Sequence, residues 1–291
     1  MMQEVRFYAY ETWCTVCVED REDAQELLQT SRAIGLRAEK LLNMYDKDSE
    51  LSRLCQNYKP GEGYPVSPAL FSFLQVNLQM AELSGGCFDF TVGALVKRWN
   101  FSSGGEVLEE KEIAEFIPGI GYGHVHLFPE RSEVIMDIPG IVLDPGASGK
   151  GFAIDRVIRY LKEKEVRRAC LNFGGNLYVL GDEEWKIGIR DPYRPEQMMC
   201  TINAKNQAVS TSSWYEHSLK KNGKIYGHII SPISGKPAES GLSSVTVLSA
   251  QAVYADMLST AVYCSGEKKG KELAKQVEEK LGVNCMVFCF P

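Results

Sequence analysis

The sequence predicts an α+β fold: mixed, largely antiparallel sheets with helices packed outside them, in two lobes around a central cleft. The whole is expected to form a single domain, residues 1–291. Three observations carry this expectation. Short strand-like runs follow one another through 169–180, 185–190, 208–213 and 224–230, with turn residues between them. Hairpin signals recur, at Pro129 within 122–137 and at Asn222-Gly223. Amphipathic stretches of helical period flank these runs.

Taken in order, residues 5–19 alternate in the manner of a strand, through Val5-Arg6-Phe7-Tyr8-Ala9-Tyr10 to Val16 and Val18. Cys14 and Cys17 inside this run have the spacing of a redox pair. Such a pair should open a helix, where the dipole lowers a thiol pKa, and both flanks here read as strand. Residues 20–44 place Ala24, Leu27, Leu28, Ile34, Leu41 and Leu42 among charges, an amphipathic helix. A polar loop, Tyr45 to Glu50, follows. A second helix runs from about Pro68 to Leu83 and stops at Ser84-Gly85-Gly86. A loop and helix are expected over 102–116, and a hairpin over 122–137 that sets His124 and His126 on one strand face. That pair suits a metal, but no third ligand is in sight, so both are read as surface histidines.

At the centre lies Leu143-Asp144-Pro145-Gly146-Ala147-Ser148-Gly149-Lys150-Gly151. The apolar run Gly140–Leu143 enters it as a short buried strand. A helix leaves it, with Phe152, Ala153, Ile154, Val157, Ile158 and Leu161 on one face. Such a junction lets backbone groups approach a ligand, and a helix N-terminus favours anions. A P-loop would need glycine where Asp144 stands and Ser or Thr where Gly151 stands; the gaps between Gly146, Gly149 and Gly151 do not fit a dinucleotide fingerprint. A carboxylate at this mouth repels phosphate unless a cation intervenes. The junction alone fits a phosphate-bearing ligand or a plain glycine-rich turn.

Beyond it, 169–173 and 177–180 are strands around Gly174-Gly175, and 185–190 is a strand stopped by Asp191-Pro192. The 208–213 run leads into a strand containing Trp214 and Tyr215. Strand 224–230 delivers His228 to a loop. Strand 244–248, helices 250–264 and 268–281, and a last strand 283–290 complete the chain.

Composition bounds the function. Of 291 residues, 44% are hydrophobic and 24% charged, as in ordinary globular proteins. A net charge of −6 gives no basic surface for nucleic acid. No apolar run approaches the roughly 20 residues of a membrane span. Met1 to Phe7 does not read as a signal peptide, and nine scattered cysteines read as reduced thiols, so a cytoplasmic location is expected.

Asp256 and Thr260 are spaced i, i+4 and share one helix face. Two oxygen donors so placed suit a hard cation; the same pair also fits an exposed Asp beside a Thr bonded to its own helix. His228, at a strand end, fits either a base or a surface residue.

Several segments together decide between these readings. Leu143 to Asp155, Asn172-Phe173-Gly174-Gly175-Asn176, Ala208-Val209-Ser210-Thr211-Ser212, His228 to Pro237, and Ala255-Asp256-Met257-Leu258-Ser259-Thr260 resemble, in this order, motifs of the ApbE-type flavin transferases. Gly86 to Trp99, with Cys87-Phe88-Asp89-Phe90-Thr91-Val92-Gly93, is similar to a sixth. The resemblance runs from about Tyr8 to Gly266.

It implies magnesium-dependent transfer of FMN from FAD to a Ser or Thr hydroxyl of a target protein, releasing AMP, in a cleft that holds FAD. Matching positions imply Mg²⁺ on the Ala147 carbonyl, Asp256 and Thr260, with Ser259 beside them. They imply FAD contacts from Tyr10, Tyr45, Cys87, Phe88, Asp89, Asp144, Lys150 and His228, with His228 also taking the acceptor's proton. The chain departs from the family pattern in four places. Tyr10-Glu11-Thr12 replaces M-G-T, Cys55 stands for Asn, Ser231 for Asp, and Ser234 for Thr. FAD pyrophosphatase activity and non-catalytic flavin binding remain the alternatives.

Overall fold

The protein is described from a computed structural model, which covers residues 1–194, 196–215 and 218–291. Its backbone is a seven-stranded sheet in which every neighbouring pair is antiparallel. In spatial order the strands are β1 (Met2–Ala9), β2 (Thr12–Glu19), β6 (Ala169–Phe173), β7 (Asn176–Leu180), β10 (Gln207–Ser213), β13 (Ser244–Ser249) and β14 (Cys285–Phe290). Three smaller antiparallel sheets complete it. They are β3 (Gly63–Pro65) with β5 (Glu133–Met136) and β4 (Val125–Phe128), β8 (Trp185–Arg190) with β9 (Met198–Ala204), and β11 (Ser218–Lys221) with β12 (Lys224–Gly227). The α+β expectation with largely antiparallel sheets is met.

One face of the main sheet alternates apolar side chains inward, as Cys14, Val16 and Val18 do on β2. Against this face lie α1 (Ala24–Leu42), α6 (Gly149–Glu163) and α7 (Ala252–Ser265), and their apolar sides close the main core. α7 is buried almost all round, lying between β10, β13, α6 and α8 (Glu267–Leu281). The opposite face is covered over β7, β10 and β13 by the β8–β9 hairpin through Ile187, Ile189 and Ala204. α3 (Pro68–Leu83) begins at Ser67, whose hydroxyl accepts from Leu70 N–H, with Pro68 at the first turn. Among the described residues no helix is long and apolar enough to cross a membrane.

Several local expectations are corrected. The run 5–19 is two strands, joined where Tyr10 and Glu11 take φ of 55° and 56°. Neither residue carries the Asn-Gly signature of such a turn, so the alternation continues unbroken through it. Gly140–Leu143 forms no strand: only Val142 bridges, to Val92. α2 (Glu50–Asn57), which begins at the end of the expected polar loop and is capped there by Ser49, was not foreseen, nor were α4 (Gly93–Trp99) and β9. The loop and helix expected over 102–116 are found, with the helix as α5 (Glu110–Phe116). The last two strands before the 228–237 loop are shorter than expected. Trp214 and Tyr215 precede β11, and residues 216 and 217 of that expected strand lie outside the described residues.

Candidate active site

At one end of the main sheet the β1–β2 turn, the β6–β7 turn and the start of α6 surround a cavity of about 940 Å³. This is at the upper end of ligand-cavity sizes, large enough for a dinucleotide. Tyr10, Tyr45, Cys87, Phe88, Asp89, Asp144, Ala147, Lys150, His228, Asp256 and Thr260 all line it, although they come from segments far apart in the chain.

Backbone bonds shape the start of α6. Asp144 accepts from Gly146 N–H at 2.8 Å, which turns the chain, and Gly149 N–H bonds to Pro145 carbonyl at 2.7 Å. Gly151 N–H, which would otherwise close a turn onto the Ala147 carbonyl, instead donates to Asp256 Oδ2 at 3.0 Å. Among the described residues the Ala147 carbonyl therefore takes no backbone hydrogen bond. A Cβ on Gly151 would stand 2.4 Å from the Ala252 carbonyl oxygen, so glycine is what lets α6 touch α7 here.

On α7 the i, i+4 spacing places Asp256 and Thr260 together on the cavity wall. Asp256 is buried, and with Oδ2 held by Gly151 its other oxygen has no hydrogen bond among the described residues. Thr260 Oγ1 and Ser212 Oγ share a hydrogen bond of 3.1 Å, and Ser212 Oγ meets Ser259 Oγ at 2.8 Å. Ser259 does not line the cavity. It is fully buried one layer behind, donating to the Asp256 carbonyl at 2.9 Å. Ser212 is the residue the sequence reading left without a role. Its signal was its place in the Ala208–Ser212 segment, on the strand facing α7.

The flanking wall is equally constrained. Asp89 Oδ1 accepts from Thr91 N–H at 2.9 Å and from its hydroxyl at 2.7 Å, and Oδ2 accepts from Tyr122 N–H at 2.8 Å. Burial raises its pKa against these three bonds, which favour the carboxylate. Asp89 thus ties the 87–91 loop to Tyr122 while presenting that loop to the cavity. Asp144 is likewise raised by burial, opposed by the Gly146 bond and by the Lys150 and Lys97 charges. Lys97 also lies over the Tyr45 ring, 5.7 Å from its centroid, leaving that exposed ring as a platform at the rim. Tyr10 turns its hydroxyl inward to the Gly35 carbonyl at 2.8 Å and stacks on Phe173. His228 follows β12 directly and is half-buried in the wall.

The oxygen donors fit a hard cation that shares its coordination with a ligand. Ala147 carbonyl, Asp256 and Thr260 supply one carboxylate and two neutral oxygens, the sparse set typical of magnesium bound together with substrate phosphates. Among the described residues no group of three His, Cys, Asp or Glu could hold a metal unaided. His124 Nδ1 and His126 Nε2 are hydrogen-bonded to the two oxygens of Asp137, at 2.8 and 2.9 Å, on the exposed surface.

The sequence pattern of the ApbE family matches residues 10–286. The chain belongs to the ApbE family. Among its relatives, the FAD:protein FMN transferase of Klebsiella pneumoniae (strain 342) is 32% identical, over 84% of this chain and 77% of the relative. That of Treponema pallidum (strain Nichols) is 30% identical, over 96% and 82%. The crystal structure of the ApbE protein from Thermotoga maritima superimposes with a TM-score of 0.87 at 26% identity, covering 99% of this chain and 94% of that one. The Pseudomonas stutzeri flavinyl transferase ApbE, in its apo form, shares the fold at a TM-score of 0.84 and 24% identity, over 100% and 95%. The fold described above is therefore the ApbE fold, kept over nearly the full length of two solved structures.

Proposed function

We infer that this chain is an FAD:protein FMN transferase, taking FAD as substrate and a Ser or Thr hydroxyl of a partner flavoprotein as acceptor. The observation that supports it most directly is the meeting of α6 and α7. The Ala147 carbonyl, which takes no backbone hydrogen bond among the described residues, stands there with Asp256 and Thr260 on the wall of a dinucleotide-sized cavity that also takes in His228.

In this reading Ala147, Asp256 and Thr260 would hold Mg²⁺. When bound, it neutralises the pyrophosphate and the charge developing on the leaving AMP. The remaining work falls to the chain. Lys150 lies beside Asp144 and offsets its charge near the phosphates. Tyr45 offers an aromatic face to a ring of FAD, while Asp89 holds the 87–91 loop in place. An imidazole nitrogen of His228 takes the proton of the acceptor hydroxyl as that oxygen bonds to the phosphorus on the FMN side. The P–O bond to AMP breaks, AMP leaves as the monoester, and FMN stays on the acceptor through a phosphodiester. Ser231 stands where the family carries a carboxylate, so His228 would work without that neighbour.

We further propose a reducing compartment, the cytoplasm, in which the nine cysteines remain the free thiols described. The test is AMP release from FAD with acceptor present, across a Mg²⁺ series, for the parent and Asp256→Ala. The expected result is Mg²⁺-dependent release by the parent and none by the variant. Equal release by both would remove Asp256 from the site.

A further inference from the structure

The two helices that carry the candidate cation ligands begin side by side, and each receives a carboxylate from the other. Gly151 N–H, in the first turn of α6, donates to Asp256 of α7 at 3.0 Å. In return, Ala252 N–H and Val253 N–H, in the first turn of α7, donate to Asp155 Oδ1 and Oδ2 of α6, at 2.7 and 2.9 Å. These amides have no acceptor within their own helix. α7 also lacks a cap of its own: Gln251 occupies the N-cap position and its side chain makes no capping bond. Asp155, nearly 100 residues away in sequence, does that work from another helix.

A cap supplied from a neighbour does something a local cap cannot, because it fixes where the helix starts relative to that neighbour. The candidate donors are split across this junction. The Ala147 carbonyl lies just before α6, whereas Asp256 and Thr260 lie on α7. Their mutual distances are therefore set by how α6 and α7 meet. The two reciprocal bonds, with Gly151 admitting backbone contact between the helices, define that meeting.

We propose that Asp155 is a positioning residue for the cation site: by holding the first turn of α7 against α6, it sets the spacing between the Ala147 carbonyl and the Asp256–Thr260 pair. The proposal rests on the cation reading given above. Asp155 touches neither FAD nor the cation, and it acts through α7.

The test reads the Mg²⁺ midpoint for tightening FAD binding, followed by flavin fluorescence, together with Tm. In the parent, Mg²⁺ tightens FAD binding, and Asp256→Ala abolishes that response. Asp155→Ala raises the Mg²⁺ midpoint by about 10- to 100-fold, the usual effect of removing a group that orients metal ligands, and leaves Mg²⁺-free FAD affinity unchanged. Adding Gln251→Asp to Asp155→Ala gives α7 a local cap, since Gln251 already has extended N-cap backbone. It restores Tm but not the Mg²⁺ midpoint. Asp155→Asn, which keeps shape and one acceptor, gives an intermediate midpoint and serves if the alanine variant does not fold. A lower Tm with an unchanged midpoint overturns the proposal, as does a double variant that recovers both. A parent whose FAD affinity ignores Mg²⁺, with Asp256→Ala identical to it, overturns the cation reading itself.

Discussion

Gly151→Ala is the substitution whose sign discriminates most sharply. On helix propensity alone it should stabilise α6, by up to about 1 kcal/mol. The structure predicts the opposite. The new Cβ would lie 2.4 Å from the Ala252 carbonyl oxygen and 2.7 Å from Val253 Cα, all backbone that no side-chain rotation can move aside. Reaching an ordinary contact of 3.4 Å requires α6 and α7 to part by about 1 Å at their first turns. That stretches the 3.0 Å bond from Gly151 to Asp256 beyond hydrogen-bonding range. Overpacking costs about 1–3 kcal/mol, and losing a bond to a charged group about 1.5–3 kcal/mol. The net expectation is a loss of about 1.5–5 kcal/mol after the propensity gain. Denaturant unfolding reads the stability, and the same samples give the Mg²⁺ requirement for AMP release, which should rise as Asp256 shifts. A variant as stable as the parent with an unchanged Mg²⁺ requirement would refute the reasoning.

Other outcomes follow from the same geometry. His228→Ala should bind FAD nearly as the parent does but transfer FMN about 10²–10⁴-fold more slowly; strong loss of FAD affinity at near-full transfer would make it a ligand contact. Asp89→Ala should cost at least about 1–3 kcal/mol in denaturant unfolding, because it strands the Thr91 and Tyr122 amides; unchanged stability would remove Asp89 as the loop's anchor. Burial raises the Asp155 carboxyl from an ordinary value near 3.8 to about 6, so the folded state holds its proton more tightly than the unfolded chain. Its contribution is fully present below pH 3.8 and is lost as pH rises to about 6, a fall of about 3 kcal/mol. Asp155→Asn should remove that share of the pH slope, measured as the difference between parent and variant from pH 4 to 7, and an identical slope in both would contradict it.

What the sequence made legible was whatever local chemistry controls. The Pro68–Leu83 helix was readable because Ser67, Pro68 and the Ser84-Gly85-Gly86 stop lie next to it. The Asp256–Thr260 pair was readable because i, i+4 spacing implies a shared face wherever a helix forms. The β1–β2 turn was not, since Tyr10 and Glu11 adopt left-handed backbone with no residue that advertises it. Gly140–Leu143 has the apolar character of a strand yet finds only a single bridging partner, which no local pattern reports. In the site, every residue that motif order singled out, apart from Ser259, lines the cavity. The bonds that organise them, Gly151 to Asp256, Asp155 to α7, and Ser212 to Thr260, join segments far apart in the chain. Such contacts exist only once the sheet has set α6 and α7 against one another. Ser259 shows the limit of motif reasoning: it shares a motif with Thr260 but points into the core rather than the cavity.

The central claim is that FMN leaves FAD for a protein hydroxyl. Intact mass spectrometry of a candidate flavoprotein domain, after incubation with this protein, FAD and Mg²⁺, tests it most directly. The account predicts an acceptor heavier by one FMN phosphodiester, with one AMP released per modified chain, and no modification once the acceptor Ser or Thr is replaced by Ala. An unmodified acceptor beside free FMN and AMP would make the protein a pyrophosphatase, and FAD bound but never cleaved would make it a binding protein; either contradicts the claim.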